Sequence, residues 1–237
     1  MEARMFTKVF PHTTLLALAF AATLSGCAGK ETHRAIVPEQ VAGASQVYNG
    51  VRAPIAVGQF DNRSSYMRGL FSDGVDHLGS QAKTILITDL NQTNRFRVLD
   101  RDNMANLKTE AALKNQPQHL KGADYIVTGD VTEFGRKEVG DTQLFGILGE
   151  GKKQIAYAKV SLNIVDISTS EVVYSVQGAG EYALSNREIV GFGSTSSYDS
   201  TLNGKVLDLA IREAVNHLTS AIDSGAWKPT KTTTSGN

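Results

Sequence analysis

The stretch from Ile155 to Ile167 constrains the fold more than any other part of the chain. Ala156, Ala158, Val160, Leu162 and Ile164 occupy one parity, while Tyr157, Lys159, Ser161 and Asn163 occupy the other. Side chains alternate across a strand with period two, so this pattern predicts a strand with one buried and one wetter face. Asp166-Ile167-Ser168-Thr169-Ser170-Glu171 supplies turn residues, and Val172 to Gly178 then returns antiparallel, extendable through Ala183. Before this hairpin the pattern switches between periods. Pro54 to Phe60 alternates as a strand, with Ile55, Val57 and Gln59 on one face and Ala56, Gly58 and Phe60 on the other. Ser72 to Gln92 has helical spacing, with Val75, Leu78, Ala82, Ile85, Leu86 and Leu90 forming a stripe and Asp73 near its start. Arg95 to Asp100 is a short strand. Arg101 to Lys114 is a second helix with Met104, Leu107, Ala111 and Leu113 inward, closed by Pro117. Ala123 to Phe134 is a strand whose Tyr125-Ile126-Val127 centre predicts burial on both faces. Gly204 to Ser224 is a last helix, striped by Leu207, Ala210, Ile211, Ala214, Val215, Leu218 and Ile222. It ends at Gly225, and Trp227 folds back on the domain. The order strand, helix, strand, helix, three strands, helix implies an α/β fold. It is a mixed β-sheet with a βαβ-like first half, an antiparallel meander and packing helices.

The N-terminus carries a separate message. Arg4 and Lys8 precede an apolar run from Leu15 to Ala22, too short to span a bilayer but suited to a signal peptide. Leu24-Ser25-Gly26-Cys27 follows and resembles the bacterial lipobox at all four positions. The chain has a single cysteine, so an internal disulfide is impossible and a thiol for lipid attachment is the remaining use. The resemblance implies cleavage before Cys27, which would then carry S-diacylglycerol and N-acyl groups. At roughly 0.8 kcal/mol per buried methylene these suffice for stable anchoring. Ala28 stands where an Asp would favour retention at the inner membrane, so the resemblance points to the outer membrane, with the domain facing the periplasm. Expected boundaries are 1–26 for the signal peptide, 27–51 for the lipidated cysteine and a flexible tether, 52–227 for the domain and 228–237 for a disordered tail.

Lys plus Arg and Asp plus Glu are both 24. This balance gives no basic face for nucleic acid. The histidines His12, His33, His77, His119 and His217 include no pair with metal-ligand spacing. The run from Gly146 to Lys153 lacks the Gly-Lys-Ser/Thr ending and following helix of a phosphate loop. Asp61, Asp100 and Asp102 suit turns and caps. No nucleophile elbow occurs. The sequence therefore predicts no catalytic, metal or cofactor site, and a protein that works by location and contact.

Four stretches together resemble the curli-secretion channel family of the CsgG/HfaB type. They are Ile55 to Asn62, Phe96 to Leu107, Ala123 to Gly129, and Val160 to Val172, with Gly225-Ala226-Trp227 as a closing signature. The resemblance implies a periplasmic α/β domain that forms homo-oligomers. In channel-forming members each copy adds two β-hairpins to one outer-membrane barrel, through which secreted fibre subunits pass. The corresponding segments here are Phe134 to Gln154 and Gly178 to Asn203. A barrel strand alternates apolar and polar residues over about ten positions. Arg136-Lys137-Glu138 breaks that alternation, Gln143 to Gly149 is short and apolar on both parities, and Tyr182 to Gly193 is ambiguous. Two readings stay open: barrel hairpins, or extended periplasmic hairpins that touch a partner or a neighbouring subunit. Phe134, Leu144, Phe145, Ile147, Tyr182, Ile189 and Phe192 are the candidate hairpin or partner-contact positions. The alternative function is a lipoprotein without a pore that binds and regulates a cell-envelope partner such as a cell-wall synthase.

Overall fold

The computed structural model of the chain describes residues 39–66, 75–142, 150–187 and 202–229. Its elements are β1 (Ala53–Asn62), α1 (His77–Gln92), β2 (Phe96–Leu99), α2 (Met104–Leu113), β3 (Tyr125–Thr142), β4 (Glu150–Asp166), β5 (Val172–Arg187) and α3 (Leu202–Ser224). They form one five-stranded sheet in the order β2-β1-β3-β4-β5. β1 pairs in parallel with β2 and β3, and β3, β4 and β5 pair antiparallel. The fold is the mixed α/β arrangement expected from the alternation of periods.

The core lies between the sheet and the helices α1 and α3. Ala156, Ala158, Val160, Leu162 and Ile164 of β4 are all buried, and so are Leu207, Ile211 and Leu218 of α3 and Leu86 and Leu90 of α1. Each fully buried aliphatic side chain contributes about 1.5–3 kcal/mol. Two glycines set how closely α3 approaches. A Cβ on Gly178 would lie 2.2 Å from the Ala210 carbonyl oxygen, and one on Gly180 would lie 3.0 Å from the Ala210 nitrogen. Gly225 adopts φ +77° and ends α3. Trp227 then turns back against Phe96, Tyr125 and Tyr174, with ring centroids 5.6–6.3 Å apart.

Several elements depart from the sequence pattern for identifiable reasons. The pairing of β1 with β3 shifts register between Val57 and Phe60. This bulge turns Phe60 into the core and leaves Gln59 exposed. Helix α1 starts at His77 under an N-cap from Asp76, which accepts from Gly79 N at 2.8 Å and also from Asn62 N at 2.6 Å. Val75 precedes the helix and is exposed, and Asp73 lies outside the described residues. Ile126 is 36% exposed although Tyr125 and Val127 are buried, because α1 and α3 cover the same sheet face.

Helix α2 buries no residue, and Leu107 and Leu113 face solvent. It is the crossover from the edge strand β2 to β3, and among the described residues no other element lies over it. Its start is held by Asp100, whose carboxylate accepts from the backbone of Asp102 and Asn103 and from the Asn103 side chain. Those bonds, the Asn103 side chain foremost, hold the Asp100 carboxyl below the usual carboxylate range. The packed domain also begins earlier than expected. Val41 is 2% exposed, so residues 39–51 form a docked strap and not the last part of a flexible tether.

Candidate functional site

Two features of the domain exceed what its core requires. The first is the length of the antiparallel strands. Among the described side chains of β3, Phe134 is the last in the core, and it packs on Tyr66 with centroids 4.7 Å apart. Beyond it, Tyr157 lies over Gly135, where a Cβ would be 2.4 Å from the tyrosine oxygen. Arg136 Nε donates to Asn203 Oδ1 at 2.7 Å, and Asn203 Nδ2 donates to the Tyr66 hydroxyl at 3.4 Å. Across the ribbon, Lys205 sits 5.3 Å from the centre of the Tyr182 ring. The first turn of α3 therefore braces β3 and β5 at this level. The ladder does not stop there. β3 and β4 remain paired through Lys137↔Ile155 to Thr142↔Glu150, and β5 follows β4 to Gly151↔Arg187.

The candidate positions divide accordingly. Phe134, expected as a contact position, is 5% exposed and belongs to the core, because the strand bulge between Val131 and Glu133 turns it inward. Tyr182 is 37% exposed on the ribbon surface. Leu144, Phe145, Ile147, Ile189 and Phe192 lie outside the described residues, as does Cys27. The charged run Arg136-Lys137-Glu138 lies within the continuous strand β3. β5 runs unbroken to Arg187, within the Gly178 to Asn203 segment expected as a hairpin, and Gly178, Gly180 and Tyr182 share one parity.

The second feature is the strap and the charged seam beneath it. Arg95 is buried beside β2 and binds Asp223 of α3 through Nη2 at 2.8 Å and Nε at 3.2 Å. Its Nη1 donates to the carbonyls of Gly43 at 3.0 Å and Thr93 at 2.7 Å, its Nη2 also reaches Gln46 Oε1 at 2.9 Å, and the guanidinium lies 5.2 Å from the Tyr48 ring centre. Asn216 Oδ1 accepts from Ala42 N at 2.9 Å. Arg212 of α3 pairs with Glu39 at 2.9 Å and with Asp208 at 3.4 Å. Asp89 of α1 faces this seam. It is 5% exposed, and its Oδ2 has no hydrogen-bond partner. Burial, reinforced by the charge of Asp208 and opposed by that of Arg212, pushes its carboxyl up to about 7. Burial likewise raises Asp208. The signal for Asp89 was available in the sequence as an acid three residues past Leu86, on the edge of the α1 stripe.

Among the described residues, no group of three His, Cys, Asp or Glu side chains could hold a metal ion, and no helix is long and apolar enough to cross a membrane. His217 bridges α3 to the sheet edge, with Nδ1 2.7 Å from the Gln177 carbonyl and Nε2 3.1 Å from Glu213. Asp61 and Asp130 flank Arg63, each at 3.0 Å. These groups meet structural needs of turns and strand ends.

The sequence profile of the family described as curli production assembly/transport component CsgG matches residues 40–237. The chain belongs to the CsgG family. A protein of Neisseria meningitidis serogroup B, named as a lipoprotein, is 65% identical over 219 residues, which cover 92% of this chain and 98% of that relative. Among solved structures, the PelC dodecamer from Paraburkholderia phytofirmans aligns with a TM-score of 0.34 and 17% identity, covering 70% of this chain and 87% of that one. A lipoprotein from Neisseria meningitidis aligns with a TM-score of 0.32 and 13% identity, covering 73% and 98%.

Proposed function

We propose that this CsgG-family chain is an outer-membrane lipoprotein, anchored through Cys27 with its α/β domain in the periplasm. Its role is the secretion or assembly of curli-like fibres or other surface material, as an oligomeric channel or a channel-associated component. It works by self-association and contact, without catalysis. The observation that carries this reading is the β3–β4–β5 ladder, which continues past Phe134, the last core side chain among those described on β3, and is braced there by the first turn of α3. A strand set longer than its core presents hydrogen-bonding edges and side chains to another chain. The lipobox supplies the location, and the meningococcal relative at 65% identity, itself named as a lipoprotein, supports it.

A second reading has a specific observation in its favour. β3 carries Arg136-Lys137-Glu138 and β4 carries Glu150, Lys152 and Lys153. Charged side chains at such density are unfavourable facing lipid, at about 2–4 kcal/mol for Arg or Lys at the bilayer midplane. A periplasmic ribbon that binds a cell-envelope protein such as a cell-wall synthase accommodates them in water.

One experiment tests both. Cells expressing the native chain and Cys27→Ser are fractionated, and the detergent-solubilised native protein is imaged and added to planar bilayers. The channel reading expects the native chain in the outer membrane, ring-shaped particles and conductance. Rings without conductance would favour the channel-associated or partner-binding role, and equal membrane retention of the Cys27→Ser chain would contradict the anchor.

A further inference from the structure

A cleft of about 580 Å³ opens at the base of the sheet, at the starting ends of β1 and β3 and the finishing end of β4. Val51 of its lining ends the strap, Arg52 follows directly, and Arg97 stands two residues after Arg95. Its walls carry Arg52, which precedes β1, Arg97 of β2 and Lys121 of the loop that enters β3. All three are exposed, and among the described residues none of them has an ion pair. This distinguishes them from Arg63, Lys83, Arg95, Lys159 and Arg212, each of which meets a carboxylate within 4.0 Å. Arg52 spends one nitrogen on the Phe96 carbonyl at 3.0 Å, which holds the guanidinium beside β2.

Two carboxylates share the lining, and they differ in what they can do. Asp166 is occupied by the β4–β5 turn, accepting from the backbone of Ser168 at 2.8 Å and of Thr169 at 3.2 Å. The Ser168 hydroxyl and backbone bonds hold its carboxyl below the usual carboxylate range, so its charge is already solvated by the turn. Asp124 is the remaining acid, set against three cations. The loop that carries Lys121 and Asp124 is fixed in place. Asp124 N donates to the Pro54 carbonyl at 2.7 Å, the Asp124 carbonyl accepts from Ile167 N at 3.2 Å, and Arg101 donates to the Lys121 carbonyl at 2.6 Å. A Cβ at Gly122 would meet nothing within 4 Å, so the loop leaves the cleft mouth open.

Three cations without a carboxylate partner, lining one cleft on a pinned frame, suit a compact polyoxo anion, since arginine forks bind phosphate oxygens in a bidentate manner and lysine adds a point charge. The volume is that of a small-ligand site. We infer that this basal cleft binds a phosphate group through Arg52, Arg97 and Lys121. A lipid head group and a free or sugar phosphate share that chemistry, and the site is independent of the function proposed for the ribbon.

Calorimetric titration of the purified full chain in a nonionic detergent tests the inference, with inorganic phosphate as one probe and glycerophosphoglycerol as the other. Saturable binding of at least one is expected. Arg97→Glu and Lys121→Glu should each weaken it about tenfold or more, as expected for loss of a charge-assisted contact. Lys108→Glu and Lys114→Glu, on the exposed surface of α2, should leave it unchanged. Preference for the diester identifies a lipid head group, and preference for the monoester identifies a free or sugar phosphate. Absence of binding by both probes, or equal weakening by the α2 variants, overturns the inference. Since Arg97 and Lys121 are exposed, thermal unfolding of their variants should match the parent, which separates lost binding from lost fold.

Discussion

The two faces of the sheet obey the same alternation and meet different fates. On one face α1 and α3 lie over Val127, Val160, Leu162 and Ile164, and all four are fully buried. On the other face Ile126 and Tyr157 are 36% and 39% exposed, and the nearest crossover helix, α2, buries nothing. Period-two patterning says which residues share a face, but whether a face is covered depends on where the helices go. Here both long helices go to one side. The covered face carries the stability, and the proposed function assigns contacts to the opposite face and the strand extension.

That division predicts a graded response to substitution. The largest effect belongs to the covered face. Gly178→Leu drives a side chain into the backbone of α3 at Ala210 and Ala214, where even a Cβ lies 2.2 and 2.4 Å away. A loss of about 3 kcal/mol or more in urea unfolding is expected, at the upper end of overpacking costs. A small loss would mean that α3 is not seated on β5. Next comes Arg95→Ala at the strap seam. It removes an arginine side chain that is 3% exposed and leaves Asp223, 38% exposed, without its partner. Because Asp223 is partly hydrated, about 2–3 kcal/mol is expected, below the range for fully buried pairs. Proteolysis between residues 39 and 51 should accelerate in the same variant, since Gly43 and Gln46 lose their donor.

Asp89 gives a pH-dependent prediction whose sign follows from its raised pKa. Its carboxyl titrates near 3.8 when unfolded and about 7 when folded. Between those values the folded state holds a proton that the unfolded state has lost. Stability is therefore fullest below the unfolded pKa and falls as pH rises through about 7, by about 1.4 kcal/mol per pH unit from this group alone. Asp89→Asn should flatten that slope and raise stability at pH 7. A slope unchanged by the substitution would show that Asp89 is hydrated. The smallest effect belongs to α2. Leu107→Ala and Leu113→Ser should each change stability by less than about 0.5 kcal/mol, as for other open surface sites. A loss several times larger would show that α2 is covered.

The order of elements, the burial parity of β4, the Gly225 stop and the return of Trp227 were all legible in the sequence, because each is set by local periodicity or local backbone conformation. Other features were not, because they depend on distant partners. Leu107 and Leu113 have the spacing of a buried stripe, yet among the described residues no element crosses over them. Phe60 and Phe134 change face through bulges that alternation cannot reveal. Residues 39–51 look like a linker by composition, and the burial of Val41 together with Arg95, Arg212 and Asn216, brought together by the fold, makes them a docked strap. The ribbon was visible as two candidate hairpin segments, one breaking barrel alternation and one ambiguous, and their pairing into one three-stranded ladder came from the register of β3, β4 and β5.

The central claim is that the strand extension serves association and not stability. It is tested most directly by replacing residues 138–154 with a short glycine-containing turn and measuring mass and unfolding of the lipidated protein in detergent. The account predicts that the native chain is oligomeric, and that the shortened chain is monomeric with its unfolding midpoint unchanged. A native chain that is strictly monomeric, or a shortened chain that keeps its oligomeric mass, would contradict it.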